Sequence, residues 1–172
     1  RHLKSEVRQT LMGALRAADA AVLMVTHDAE EALLMADDLA LMDKGRILQI
    51  GAPDDAYLHP VSPAAARLLG EVELLPAKVQ AGAATTAFGA LPAPDAPDGP
   101  AWVMIRPGDA FMGTEGAPAT VGAVAFGGPF TEVKLLAGSQ TLRLRITGPA
   151  PSIGEMVRVT FNAARARIYP RA

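Results

Sequence analysis

The sequence predicts two architectures in tandem: an α/β segment followed by an all-β small barrel or sandwich. Three observations predict it. A continuous apolar run, Val22 to Val25, lies between two helical patterns, as expected of a strand covered by helices. Beyond Gly70 helical spacing disappears. In its place come short runs rich in valine, threonine, isoleucine and phenylalanine, broken by glycine and proline turns. The break falls at about Gly70 to Glu73, which divides the chain into segments 1–70 and 71–172.

Taken in order, Leu3, Val7, Leu11 and Leu15 recur at near-helical spacing among Lys4, Glu6, Arg8 and Arg16, the pattern of an amphipathic helix lying on a sheet. Val22 to Val25 follows as a buried strand. Asp28 then stands as an N-cap, and Glu31 three residues on completes a capping-box-like pair for a helix over Ala29 to Ala36. Leu39 to Met42 and Arg46 to Ile50 flank Asp43-Lys44-Gly45, a hairpin whose glycine supplies a positive φ. Pro53 with Asp54 and Asp55 starts one helix; Ser62-Pro63, as N-cap and first residue, starts another that ends at Gly70. Seven strands are expected after that: Leu74 to Val79, Trp102 to Ile105, Ala119 to Ala125, Glu132 to Leu136, Thr141 to Ile146, Met156 to Phe161 and Ala166 to Tyr169. Pro92 to Pro100 carries too many prolines for either element and reads as an exposed loop.

Composition narrows the function classes. The 172 residues are 50% hydrophobic and 20% charged, enough apolar material for a buried core and too little charge for a disordered chain. No apolar run reaches the ~18 residues of a membrane span. A formal charge of -2 argues against nucleic acid as the main partner, because phosphate binding needs a basic surface. With no cysteine, disulfides and thiolate metal sites are excluded, which fits a reducing compartment. The chain begins at Arg1, already in mid-pattern, and reads as a fragment of a longer protein.

His27 ends the expected strand just ahead of a helix N-terminus. In open α/β sheets that is where ligands bind, and helix N-termini favour anions. The wording around it is specific. Thr26-His27-Asp28, Glu30-Glu31-Ala32, Ala36-Asp37, Leu39-Ala40-Leu41-Met42, Gly45-Arg46-Ile47, Gln49, Gly51 and Pro53, with Tyr57, His59 and Pro60 further on, resemble the closing segment of an ABC transporter ATPase domain, a P-loop fold. That resemblance implies that His27 is the switch histidine, which contacts the γ-phosphate of ATP. Where the family usually has glutamine, this chain has Ala29.

A second resemblance concerns the rest. Arg106-Pro107 after Val103-Met104-Ile105 is similar to the Ile-Arg-Pro element of the regulatory, OB-like β-domain called TOBE, although Gly108 and Asp109 stand where a glutamate is common. Gly70-Glu71, Leu75-Pro76-Ala77, Gly89-Ala90-Leu91-Pro92, Thr131-Glu132-Val133 and Leu136-Ala137-Gly138 look most like ferric-iron importer ATPases; polyamine, sulfate and sugar importers share the layout.

Together these resemblances imply an ATP hydrolase using ATP and Mg2+, working as a homodimer on the cytoplasmic face of a bacterial inner membrane. Its partners would be permease subunits and, indirectly, a periplasmic solute-binding protein. Two other roles stay open for segment 71–172, ligand sensing and dimerisation. The chain has no Gly-x-x-x-x-Gly-Lys-Ser/Thr, the loop that cradles phosphates, so it is not expected to hydrolyse ATP alone. Asp28, Glu30 and Glu31 read as capping and dipole residues, not as catalysts. His59 reads as a surface helix-end residue. Arg143 and Arg145 alternate with Leu142, Leu144 and Ile146 and so share one face, solvated or able to meet an oxyanion or acidic partner. No metal-ligand spacing is seen among the residues after Gly70.

Overall fold

The computed structural model describes residues 10, 11, 13–15, 17 and 21–171. Residues 10, 11, 13–15 and 17 are helical, in keeping with the expected amphipathic helix, whose Leu3 and Val7 lie outside the described residues. Residues 21–171 are dominated by strands, with three short helices.

The expected strand at Val22 to Val25 does not form. Residues 21–26 pair with no other strand, and Leu23 and Val25 are 93% and 90% exposed. A strand buried on both faces needs a neighbour on each edge and cover above and below. No described element supplies them. The run is therefore unpaired and without regular structure, with its apolar side chains exposed to water.

Helix α1, Ala29–Met35, follows, with Asp28 as its N-cap. Strands β1 (Leu39–Asp43) and β2 (Arg46–Gly51) form the expected antiparallel hairpin. Its two-residue turn has Lys44 at φ 47° and Gly45 at φ 77°, both positive, the geometry whose twist matches that of the strands. Helices α2 (Pro53–Leu58) and α3 (Pro63–Leu68) come next. Ser62 caps α3 by accepting from the Ala65 N–H at 3.2 Å, and Gly70 just beyond has φ 133°. Leu39, Leu41, Ala56, Ala65 and Leu69 form a small core, against which Leu33, Leu48 and Tyr57 pack.

The rest folds into two open five-stranded antiparallel sheets. One contains β3 (Glu73–Gln80), β4 (Ala83–Thr86), β5 (Gly89–Pro92), β6 (Gly99–Ile105) and β12 (Arg167–Pro170), in the order β12-β6-β3-β4-β5. The other contains β7 (Ala110–Gly113), β8 (Ala117–Phe126), β9 (Thr131–Ala137), β10 (Gln140–Ile146) and β11 (Met156–Phe161), in the order β10-β9-β8-β11-β7. Alternate residues of both sheets meet in one core. Leu75, Val79, Val103 and Ile105 come from the first sheet; Val121, Val133, Leu135, Leu142, Leu144 and Val159 come from the second. Burying each such side chain contributes about 1.5–3 kcal/mol, which is why the period-2 pattern sets the register.

All seven expected strands are present, with ends shifted by at most three residues and Met156–Phe161 unshifted. Three more, β4, β5 and β7, form where none is expected. Each is only four residues long, and β4 and β5 are built largely of alanine, threonine, glycine and proline, so pairing with a neighbour, more than intrinsic preference, makes them strands. Pro76 sits inside β3, a strand with neighbours on both sides. It is tolerated because β4 pairs only with Lys78 to Gln80, so no ladder bond is asked of its missing N–H on that side. The expected loop Pro92 to Pro100 is shorter than predicted, since Pro92 ends β5 and Gly99 begins β6, and Ala93 is buried.

Candidate functional site

His27 is exposed and stands directly ahead of α1. Its neighbours are held by a local relay. The Asp28 carboxylate accepts from the backbone N–H of Glu30 at 3.0 Å and of Glu31 at 3.2 Å, the two donors that open the helix. The Asp28 N–H donates to the Thr26 hydroxyl oxygen at 3.0 Å, and that hydroxyl donates to the Glu31 carboxylate at 3.2 Å. The expected capping-box carboxylate is thus tied to Thr26, one residue before His27. Thr26 and Asp28 are both fixed, and the imidazole between them is left facing solvent. Asp28 acts as the cap its spacing predicts, whereas the Glu31 carboxylate is held by the Thr26 hydroxyl, a tether the spacing does not predict.

The ring therefore has room to meet a ligand. A phosphate oxygen brought to it would find an N–H donor unobstructed by apolar packing. The helix N-terminus adds little, because Asp28 already occupies its first donors. His27 is the one residue of this chain that the resemblance assigns to ATP; the glycine-rich loop that would hold the other phosphates is not in the sequence.

The remaining sequence-predicted residues resolve as follows. His59 is exposed at the end of α2, its Nδ1 2.8 Å from Asp55, a surface pair one helical turn apart. Arg143 and Arg145 do share one face, and both meet carboxylates of the same chain: Arg143 Nε donates to Glu73 at 2.6 Å, and Arg145 Nη2 donates to Glu71 at 2.7 Å. The Glu73 hydrogen bond raises the Arg143 pKa above its ordinary value. Gln140 adds a third tie, donating to the Pro76 carbonyl at 3.0 Å. These contacts lace edge strand β10 to β3 and leave little free positive charge for an oxyanion. Among the described residues no group of three or more His, Asp or Glu could hold a metal ion.

The most unusual side chain is one for which the sequence suggested family membership but no job. Arg106 continues the buried strand Val103–Ile105 and is itself 5% exposed. Its guanidinium donates to the backbone carbonyls of Tyr57 (3.3 Å), Glu71 (3.4 Å) and Ala66 (3.5 Å), and its central carbon lies 3.8 Å from the centre of the Tyr57 ring. Burial lowers its pKa from the ordinary value, with Tyr57 and Asp109 opposing. Burial also raises the pKa of the enclosed Asp109, an effect opposed by Arg165 and Arg106. Tyr169 makes a parallel tie, its hydroxyl donating to the Pro60 carbonyl at 2.7 Å. An arginine directly after an apolar strand was the available signal: a charge there must find buried partners. The partners themselves lie 35 to 49 residues away in sequence and were not visible. Beside this seam lies an open cleft of about 540 Å3, lined by Leu33, Pro53, Asp54, Tyr57, Leu58 and Arg165.

With this geometry in hand, the relatives are informative. The chain is 35% identical to a sulfate/thiosulfate import ATP-binding protein of Chromobacterium violaceum, over 98% of this chain and 50% of that protein. It is 34% identical to an Fe(3+) ions import ATP-binding protein of Serratia marcescens, over 97% of this chain and 50% of the relative. The chain belongs to the ATP-binding subunits of ABC importers. A further Fe(3+) ions import ATP-binding protein, from Streptomyces avermitilis, is 37% identical over 83% of this chain and 43% of its own length. This ABC importer chain spans about half the length of the curated relatives it matches, and the matched part is their C-terminal half. No protein-family model matches it. Among the described residues no helix is long and apolar enough to cross a membrane.

Proposed function

We propose that the chain is the C-terminal half of an importer subunit that couples ATP hydrolysis to solute uptake, with ferric iron as the cargo. The observation that carries this reading is the exposed imidazole of His27, framed by Thr26 and Asp28, in a chain whose relatives are import ATP-binding proteins. His27 would donate an N–H to an oxygen of the terminal phosphate and stabilise charge there as the attacking water adds. The Thr26–Glu31 and Asp28 contacts hold the backbone on both sides of the ring. Mg2+, when bound, neutralises charge on the β- and γ-phosphates. The groups that hold it and the nucleotide's other phosphates belong to sequence outside this chain.

In this reading segment 1–70 is the end of a P-loop ATPase domain and segment 71–172 a TOBE-like regulatory domain. The two separate hydrophobic cores, one closing at Leu69 and the other beginning at Leu75, support a boundary at Gly70 to Glu73. The subunit would act as a homodimer on permease subunits at the cytoplasmic face of the inner membrane, with a periplasmic binding protein delivering the solute. A second cargo, sulfate or thiosulfate, is favoured by the relative from Chromobacterium violaceum, whose name carries it.

The test is His27→Ala in the full-length subunit. Turnover is expected to fall on the order of 10²–10³-fold, the usual cost of deleting a positioned donor, while ATP still binds. Near-normal turnover refutes the assignment. Uptake of labelled ferric ion against labelled sulfate, in cells with and without that substitution, decides the cargo.

A further inference from the structure

Arg106 is a buried cation whose nearest partners are carbonyls, and their origin is what gives it meaning. Tyr57 lies in the last turn of α2 and Ala66 in the last turn of α3, where backbone carbonyls carry the negative end of the helix dipole; the Ala66 carbonyl also accepts from the Leu69 N–H at 3.2 Å, so Arg106 is its second donor. Glu71 follows at the start of the connection to β3. The guanidinium is solvated only when α2, α3 and that connection converge on the end of β6. A buried charge left without such partners is costly. Arg106 thus favours one attitude of the two helices over all others.

The contact continues toward His27. Tyr57, whose ring covers the guanidinium, packs in the same small core as Leu33 of α1, and α1 begins two residues after His27. From β6 the contact runs through Arg106 to Tyr57, and through the small core that Tyr57 shares with Leu33 to the helix ahead of which the imidazole stands. Tyr169 of β12, bonded to the Pro60 carbonyl between α2 and α3, holds the same helices from a second strand.

We propose that Arg106 is a positioning residue, the pin through which the β-sheets set the attitude of α2 and α3 and, through Tyr57 and Leu33, of the α1 segment carrying His27. The part of this that concerns turnover rests on the function proposed for His27; the mechanical part does not.

Two arms keep these separate. In the 172-residue chain, amide hydrogen exchange is compared for wild type, Arg106→Met and Arg106→Lys. Arg106→Met is expected to raise exchange on the order of tenfold in 29–35 and 53–68, with 131–146 unchanged, and Arg106→Lys, which keeps the charge and loses the fork, to fall between. A uniform rise across all segments, or a rise confined to the end of β6, overturns the pin. Should Arg106→Met not fold, the lysine variant carries the same comparison. In the full-length subunit, Arg106→Met is expected to lower kcat for ATP hydrolysis with KM for ATP nearly unchanged, and Arg106→Lys to restore part of it. An effect on KM alone overturns the coupling. If His27→Ala leaves turnover intact while the exchange pattern appears, the catalytic reading fails and the pin stands.

Discussion

Removing the Asp28 carboxylate should loosen the segment that carries His27 without disturbing the β-sheets. In Asp28→Ala two N–H groups, those of Glu30 and Glu31, lose their acceptor at 3.0 and 3.2 Å. Helix α1 has only seven residues, none of them fully buried, so the cap is a large share of what holds it. Loss of an N-cap costs about 1 kcal/mol, within a range of roughly 0.5–2. Since about 1.4 kcal/mol is a factor of ten, the open fraction of α1 should rise about fivefold. The measurement is amide hydrogen exchange at residues 30–36 under conditions where rate reports the opening equilibrium, set beside residues in β9 and β10. Asp28→Asn keeps an acceptor oxygen and should retain most of the protection. The reasoning fails if alanine leaves exchange in α1 unchanged, or if asparagine is as damaging as alanine, since either would show that packing, and not the cap, holds the helix.

Two further outcomes follow from other parts of the fold. Gly116 has φ 101°, and a Cβ there would overlap the Val159 carbonyl of β11, so Gly116→Ala should cost at least ~1–3 kcal/mol and lower the urea midpoint, whereas Gly138→Ala, open to solvent, should cost less. Tyr169 has its pKa raised above 10.0, by burial first, with Arg167 and Arg106 opposing. Its contribution is therefore fully present below pH 10.0 and lost as pH rises through the higher folded value. The stability difference between wild type and Tyr169→Phe, from urea melts at stepped pH, should be constant to about pH 10 and then shrink; a difference that grows above pH 10 would contradict the burial of that hydroxyl.

How much was legible varies with the physical range of the signal. Local chemistry was: Asp28 and Ser62 as caps, Lys44-Gly45 as a turn and Gly70 past the end of α3 all depend on residues a few positions apart, and all are in place. The alternation in β9 and β10 read correctly because burial on one face leaves a period-2 trace. Strands β4, β5 and β7 left no such trace. The run Val22 to Val25 has the composition of a buried strand and is one only where neighbours exist to pair with it. For the candidate site, His27 was placed from sequence and lies exposed ahead of α1. The acidic partners of Arg143 and Arg145, and the three carbonyls around Arg106, were not foreseen, since each joins residues 35 to 74 positions apart.

By itself, then, the sequence determined which residues are apolar, where the chain caps and turns, and which family's wording it carries. Those properties are local or additive along the chain. Tertiary structure alone decided which charges neutralise one another, which apolar run finds no partner, and where a buried arginine is held. Those depend on distances between residues far apart in the chain, and no pattern within a window of a few turns encodes such a distance.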